Sequence, residues 1–181
     1  MTENTDQIYT VALTGHRPDR LAGYDMSHPF YRALHQELSV RVQALLGQHQ
    51  QLELRSGLAL GADTIWAQVG LQLREQHPGR IRIAGYLPFP DQAGRWPKSS
   101  RDTWARIRHD LDREHICAES YSASVMHRRN AVLIQGADLL LALWDGKPTG
   151  GTASTVRLAR AQNTLIQVID PEQIRRTVNV S

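Results

Sequence analysis

Short apolar segments alternate with longer amphipathic segments along most of the chain, and this alternation restricts the fold more than any other feature. The apolar segments have the length and composition of strands, and they lie at 8–13, 52–54, 81–87, 139–144 and 165–169. Leu139 to Trp144 (LLLALW) is apolar throughout, which is typical of a strand buried on both faces of a parallel sheet. A further short strand is predicted at 115–117.

The segments between these strands have helical spacing. Apolar residues recur three and four positions apart at Tyr31, Leu34, Leu38, Val42 and Leu45. Further helices are predicted at 62–76, 102–111, 124–135 and 153–162, with a loop at 91–100. The tail from Glu172 either frays or packs as a short helix. The alternation predicts an α/β fold, namely one Rossmann-like, doubly wound, mostly parallel sheet with helices on both faces. We expect one domain over 1–181, with 1–7 and 172–181 at its periphery.

The net charge and the composition exclude some kinds of binding partner and of functional site. The formal net charge of +3 suits an anionic ligand and is too small to require DNA. The start, MTENTDQ, lacks the basic and apolar regions of a signal peptide, and no apolar stretch is long enough to span a bilayer, so we expect a cytoplasmic protein. The single cysteine, Cys117, excludes an internal disulfide. We expect no metal, because the histidines show no HxH or HExxH spacing.

Ligands of such sheets bind beyond the carboxyl ends of the strands, so the loops that leave those ends are the candidates. They read TGHRP from Thr14, SGLALGAD from Ser56, PFPDQ from Pro88 and WDGKPTGGT from Trp144. If the sheet is parallel, all four loops lie on the same rim. Three of them contain glycine, which allows a backbone to approach a ligand closely.

Gly150, Gly151 and Thr152 precede a predicted helix, and two interpretations stay open. A helix start offers unpaired N–H groups and a partial positive charge, so it can hold a phosphate, with Thr152 adding a hydroxyl and Lys147 a charge. The alternative is a glycine turn in which Thr152 is the helix N-cap.

The other rim residues also have two interpretations each. Asp63 can accept from a ribose hydroxyl or cap its own helix, and Arg17 can bind phosphate or carboxylate or lie in solvent. His16 can stack on a base, donate a hydrogen bond or be structural. Adjacent arginines on a helix point about 100° apart, so one of Arg128 and Arg129 faces the site while the other is solvated.

Taken together, TGHRP, SGLALGAD, PFPDQ, MHRRN and DGKPTGGTAST resemble the SLOG superfamily, and most closely its YpsA-like branch. This Rossmann-like group includes the DprA/Smf domain and the LOG phosphoribohydrolases, and the resemblance covers 8–169. It implies binding of a nucleotide or a nucleotide-derived, ADP-ribose-like ligand. The loops and the resemblance together give the candidate ligand-binding residues Thr14, Gly15, His16, Arg17, Ser56, Gly57, Gly61, Asp63, Phe89, Gln92, Arg129, Asn130, Asp145, Gly150, Gly151 and Thr152.

The catalytic pattern of the LOG enzymes is incomplete in this chain. Those enzymes use an arginine and the glutamate of PGGxGTxxE, and aligning the motif puts Arg157 or Thr155 at the glutamate position. Neither can act as the carboxylate. We therefore expect a binding module or sensor. The alternative is a LOG-type hydrolase that cleaves the N-glycosidic bond of a nucleoside monophosphate, with Asp63, Asp145 or Glu119 as the candidate catalytic carboxylates.

Two macromolecular partners were considered, namely single-stranded DNA and further copies of this chain. Single-strand DNA binding is the least favoured function, since no basic run with interleaved aromatic residues is present. The resemblance makes a homodimer or higher homo-oligomer plausible. Trp66 or Trp104 can lie in its interface or belong to the core of one chain.

Overall fold

The computed structural model describes residues 7–179 and shows a sheet covered by helices. Within those residues the strands are β1 (Tyr9–Gly15), β2 (Leu52–Ser56), β3 (Ile81–Leu87), β4 (Arg113–Ile116), β5 (Leu139–Leu143) and β6 (Leu165–Ile169). The α-helices are α1 (Pro29–Leu46), α2 (Ala62–Gln76), α3 (Lys98–His109), α4 (Val125–Ile134), α5 (Gly151–Ala161) and α6 (Pro171–Asn179). A short 3-10 helix, Pro18–Arg20, follows β1.

The sheet order is β4-β3-β2-β1-β5-β6, and every pairing between the strands is parallel. The predicted Rossmann-like α/β fold is therefore confirmed. The order reverses between β1 and β5, because strands 2 to 4 extend to one side of β1 and strands 5 and 6 to the other. Such a reversal is the point at which ligands bind in doubly wound sheets.

The two faces of the sheet carry separate apolar layers. Alternate residues of β1 point to opposite faces, so Val11 and Leu13 pack under α1, α2 and α6, whereas Ala12 packs under α4 and α5. Trp66 on α2 is fully buried and donates its indole N–H to Arg55 O at 3.0 Å. Full burial of a leucine of this core contributes about 1.5–3 kcal/mol. Trp66 thus belongs to the core of one chain.

Several boundaries differ from the sequence predictions. α3 begins at Lys98, inside the predicted loop 91–100. The sequence did not indicate this start because the first turn of α3 is mostly exposed and shows no apolar spacing. α5 begins at Gly151, with Gly150 as the N-cap, so Thr152 lies in the first turn. The tail forms α6, which packs on α1 with Ile174 buried. Residues 1–6, 180 and 181, which belong to the predicted periphery, lie outside the described residues.

Candidate functional site

A cavity of about 280 Å³ opens at the carboxyl ends of β1 and β5, where the sheet order reverses. The helices that follow these two strands cover opposite faces, so their loops diverge and leave a crevice. α2 and α4 contribute the remaining walls. The lining residues are Leu13, Thr14, Gly15, His16, Arg17, Asp19, Arg20, Ala59, Asp63, Met126, Arg129, Asn130, Leu133, Gly150, Gly151 and Thr152.

The cavity brings together candidate residues that the sequence analysis placed in four separate parts of the chain. The sequence candidates that line it are Thr14, Gly15, His16, Arg17, Asp63, Arg129, Asn130, Gly150, Gly151 and Thr152. The sequence candidates that lie outside its lining are Ser56, Gly57, Gly61, Phe89, Gln92, Glu119 and Asp145. Most of this second group supports the cavity wall from behind.

The start of α5 forms one wall. Gly150 adopts a φ of 94°, which side chains other than glycine rarely tolerate, and its carbonyl accepts the first helical bond, from the Ser154 amide at 3.0 Å. No side chain of the described residues caps this helix start. The space around the Cα of Gly151 is open. The partial positive end of the α5 dipole therefore lies at the cavity, and Arg20 Nη1 would be 3.3 Å from a Cβ atom built on Gly150.

Arg129 on α4 also lines the cavity and is the most unusual group of the site. Its side chain is 7% exposed, and its Nε and Nη1 atoms have no hydrogen-bond partner among the described residues. The nearest carboxylate oxygen, Asp63 Oδ2, lies 3.6 Å from Nη1, which is too far for a hydrogen bond. Its neighbour Arg128 is exposed and donates to the Cys117 carbonyl at 3.0 Å. A buried guanidinium with unused donors is costly unless an anion completes it.

Burial acts on both members of this pair. Loss of solvation raises the pKa of Asp63 above its ordinary value, and the charges of Arg129 and Arg17 oppose that rise. Loss of solvation likewise lowers the pKa of Arg129, and Asp63 opposes that change. Each group is thus stabilised by the other but remains poorly solvated.

His16 joins the loops that follow β1 and β5. Its Nε2 accepts from the Asp145 amide at 3.2 Å, and its Nδ1 lies 3.4 Å from Thr152 Oγ1. Burial lowers the pKa of His16, as does the nearby Arg20, so the neutral ring is favoured near neutral pH. Nε2 also lies 3.1 Å from Asp145 Oδ1. The tautomer that accepts at Nε2 can donate from Nδ1 towards Thr152, whereas the tautomer with its proton on Nε2 donates to the Asp145 carboxylate. His16 therefore connects the β1 loop to the first turn of α5.

Asp145 is held in an ion pair behind the cavity. Its Oδ2 accepts from Arg20 Nη2 at 2.7 Å, and its Oδ1 accepts from the Lys147 amide at 3.2 Å. Partial burial would raise the pKa of Asp145, but the Lys147 amide, Arg20 and His16 together lower it to about 2. A carboxyl group with this pKa is a weak general base.

Arg20 lines the cavity and was not among the sequence candidates. It belongs to the 3-10 helix after β1, three positions beyond Arg17, which lines the same cavity. The available signal was Pro18, which favours a short helical turn and so keeps the residues after TGHRP on the rim. Arg17 itself is exposed.

The other candidates have supporting or remote positions. Ser56 Oγ donates to the Asp63 carbonyl at 2.8 Å and accepts from the Leu58 amide at 3.1 Å, which fixes the start of α2. Gln92 Nε2 donates to the carbonyl oxygens of Gly57 and Leu58 at 3.1 and 2.8 Å. On the loops beyond β3 and β4, the Phe89 ring meets the edge of Tyr121, and Glu119 is exposed.

Gly15 and Gly61 lie where the β1 loop meets the start of α2. The Ala62 amide donates to the His16 carbonyl at 3.4 Å across this contact. Trp96, on the loop before α3, packs edge-on against Trp104 with ring centroids 6.4 Å apart.

Comparison with known proteins identifies the relatives of this chain. A sequence model of the YspA SLOG family matches residues 11–174, which include β1 from its third residue, the other five strands and all the residues that line the cavity. The chain belongs to the YspA SLOG family. This family membership confirms the resemblance inferred from the rim loops.

Curated SLOG relatives cover most of the chain at low identity. A UPF0398 protein of Bacillus pumilus is 29% identical over 82% of this chain and 80% of its own length. A UPF0398 protein of Shouchella clausii is 26% identical over 98% of this chain and 95% of its own length. A third UPF0398 protein, from Halalkalibacterium halodurans, is 26% identical over 91% of this chain and 85% of its own length.

The structure also shows what occupies the positions where the LOG pattern has its glutamate. Thr155 is buried and donates to the Gly151 carbonyl at 2.9 Å, while Arg157 is exposed and donates to the Pro148 carbonyl at 2.8 Å. The carboxylates that line the cavity of this SLOG protein are Asp19 and Asp63.

Residues 7–179 contain neither a metal-binding cluster nor a membrane-spanning helix. No group of three or more His, Cys, Asp and Glu side chains is arranged to hold a metal ion there. In the same residues, no helix combines the length and apolar character needed to cross a membrane.

Proposed function

We propose that this cavity binds a nucleotide or an ADP-ribose-like molecule through a phosphate group held between the start of α5 and Arg129, and that the protein acts as a sensor or binding module. Membership of the SLOG family suggests a nucleotide-related role. The wall residues suit an anion, since Arg17, Arg20 and Arg129 outnumber Asp19 and Asp63.

The unpartnered guanidinium of Arg129 is the observation that carries this proposal. Its Nε and Nη1 are buried without a hydrogen bond to any described residue, although Asp63 lies close by. A buried donor without a partner costs about 1–3 kcal/mol, and more when it is charged. A phosphate accepts two N–H groups from one edge of a guanidinium in a planar arrangement, and such an edge includes either Nε or Nη1, so one of the two unpartnered donors would be satisfied. No apolar ligand offers the same compensation.

Calorimetric titration with AMP, ADP and ADP-ribose tests the proposal, with two substitutions of one residue as a matched pair. Gly151→Asp places a negative charge at the start of α5, where space is open, and should lower the affinity at least about tenfold through repulsion. Gly151→Ala adds only a methyl group in the same space and should retain binding. Absence of binding by the unmodified protein at millimolar concentrations of all three ligands would refute the proposal.

A second candidate function is hydrolysis of an N-glycosidic bond, in which water is added across the bond between base and ribose phosphate. Asp63 favours it, because burial raises the pKa of this cavity-lining carboxyl group towards the range useful for proton transfer. Incubation with AMP or NAD, followed by chromatography for free base, distinguishes the two functions. If a product forms, Asp63→Asn should abolish it.

A further inference from the structure

The two edges of the sheet differ in how they meet solvent. β4 forms one edge with the sequence REHI, in which all four residues are exposed and three can carry charge. β6 forms the other edge with the sequence LIQVI, which has no charged residue, and Leu165 and Val168 are 57% and 49% exposed. Charged residues protect an edge strand from pairing with another chain, whereas a charge-free apolar edge invites it.

The orientation of the β6 backbone determines which of its residues can pair outwards. The Ile169 carbonyl accepts from the Trp144 amide at 3.0 Å, so Ile169 directs its backbone groups inwards, towards the β5 side. Backbone direction alternates along a strand, so Leu165 and Gln167 also point inwards. Ile166 and Val168 therefore direct their N–H and C=O groups to the open edge.

The sequence of β6 is complementary to itself in the antiparallel direction. If two copies align with Gln167 opposite Gln167, then Leu165 lies opposite Ile169, and Ile166 lies opposite Val168. The outward backbone groups of Ile166 and Val168 then face each other, which is the requirement for a hydrogen-bonded antiparallel pair. If two copies of β4 were aligned antiparallel in the same way, Arg113 would lie opposite Ile116 and Glu114 opposite His115.

We propose that the partner of this edge is a second copy of the chain, with the two β6 strands paired antiparallel about a twofold axis that passes beside Gln167. The two sheets then become one continuous sheet, and the exposed Leu165 and Val168 side chains are covered by the partner. The proposal concerns the opposite end of the sheet from β4 and is independent of the ligand cavity.

Charges near the axis are compatible with this arrangement. Arg41 on α1 donates to Gln167 Oε1 at 3.1 Å and to Glu37 Oε1 at 2.8 Å. Glu37 neutralises Arg41 within each copy, so the twofold axis does not bring unpaired like charges together. Val40, also on α1, is 56% exposed, and it lines a groove with Ile169 beside β6.

Disulfide trapping tests the register directly. Gln167 would lie in a non-hydrogen-bonded pair, where opposite Cα atoms are about 4.5 Å apart and a disulfide can form. In a Cys117→Ser background, Gln167→Cys should give a covalent dimer under mild oxidation, as seen by non-reducing electrophoresis. His115→Cys on the exposed β4 edge is the control and should remain monomeric. A Gln167→Cys protein that yields no covalent dimer overturns the proposed register.

Light scattering after size exclusion tests the interface without cysteines. The unmodified chain should have the mass of a dimer at micromolar concentration, and Val168→Lys should shift it to the monomer with unchanged far-ultraviolet circular dichroism. Ile116→Lys on β4 should leave the dimer mass unchanged. A monomeric unmodified protein, or a Val168→Lys protein that remains dimeric, refutes the proposed interface.

Discussion

The guanidinium of Arg129 occupies the space that a side chain at position 57 would need, since a Cβ atom built on Gly57 would lie 1.4 Å from Arg129 Nη1. The same Cβ atom would lie 2.7 Å from Asp63 Oδ2. Gly57 therefore does not line the cavity, yet its lack of a side chain allows the buried pair to form. The position of the Arg129 side chain on α4 therefore requires a glycine at position 57 in the loop after β2.

Gly57→Ala should consequently displace Arg129 and destabilise the fold. Forcing a methyl group into this packed position should lower the free energy of unfolding by about 1–3 kcal/mol. It should also weaken binding of ADP-ribose, because Arg129 can no longer reach its place in the wall. Urea denaturation and calorimetric titration measure the two effects. Gly151→Ala, in open space, is the control, and equal stability of the two variants would contradict the packing argument.

Arg129→Met tests the anion site through its central cation. A charge-assisted hydrogen bond contributes about 1.5–3 kcal/mol, so loss of this side chain should lower the affinity for ADP-ribose about 10- to 150-fold. Arg128→Met on the same helix removes an exposed side chain and should change affinity by less than about twofold. Similar losses in both variants would mean that general charge, and not the buried guanidinium, controls binding.

His16 should make stability depend on pH at mildly acidic values. Burial lowers its folded-state pKa below the ordinary value near 6.5, so as pH falls the unfolded chain takes up the proton first. Stability contributed by the neutral ring is therefore complete above about pH 6.5 and is lost progressively as pH falls towards the folded-state pKa. Urea denaturation of the unmodified protein and of His16→Gln between pH 7 and 5 should show a smaller decline in the variant. Parallel pH profiles would exclude this role.

Asp145 should act in a lower pH range. Its folded-state pKa of about 2 lies below the ordinary value of 3.8, so its contribution is present above pH 3.8 and is lost as pH falls through about 2. Because the side chain is partly exposed, solvent screening should limit the effect to about 1 kcal/mol. The stability difference between the unmodified protein and Asp145→Asn, followed by thermal unfolding from pH 5 to 2, should shrink by that amount. A constant difference would mean that the ion pair with Arg20 does not stabilise the fold.

Local patterns in the sequence were sufficient to predict the strands, most helices and the rim on which the candidate residues lie. They were less informative where a segment makes few apolar contacts. The first turn of α3 is mostly exposed, and the 3-10 helix that carries Arg20 has only three residues, so apolar spacing indicated neither of them. The relation between Gly57 and Arg129 was likewise invisible, because these residues are far apart in the chain and meet only after folding.

The sequence by itself determined the α/β class, the parallel direction of the strands and the glycine-rich loops at their ends, because periodicity and turn chemistry are local properties of the chain. Only the tertiary structure decided the strand order, the reversal between β1 and β5 and hence which loops enclose the cavity. It also separated residues that face the cavity, such as Asp63 and Arg129, from residues that support it, such as Ser56 and Gln92. Burial and pairing over long sequence distances set those roles, and no short stretch of sequence contains that information.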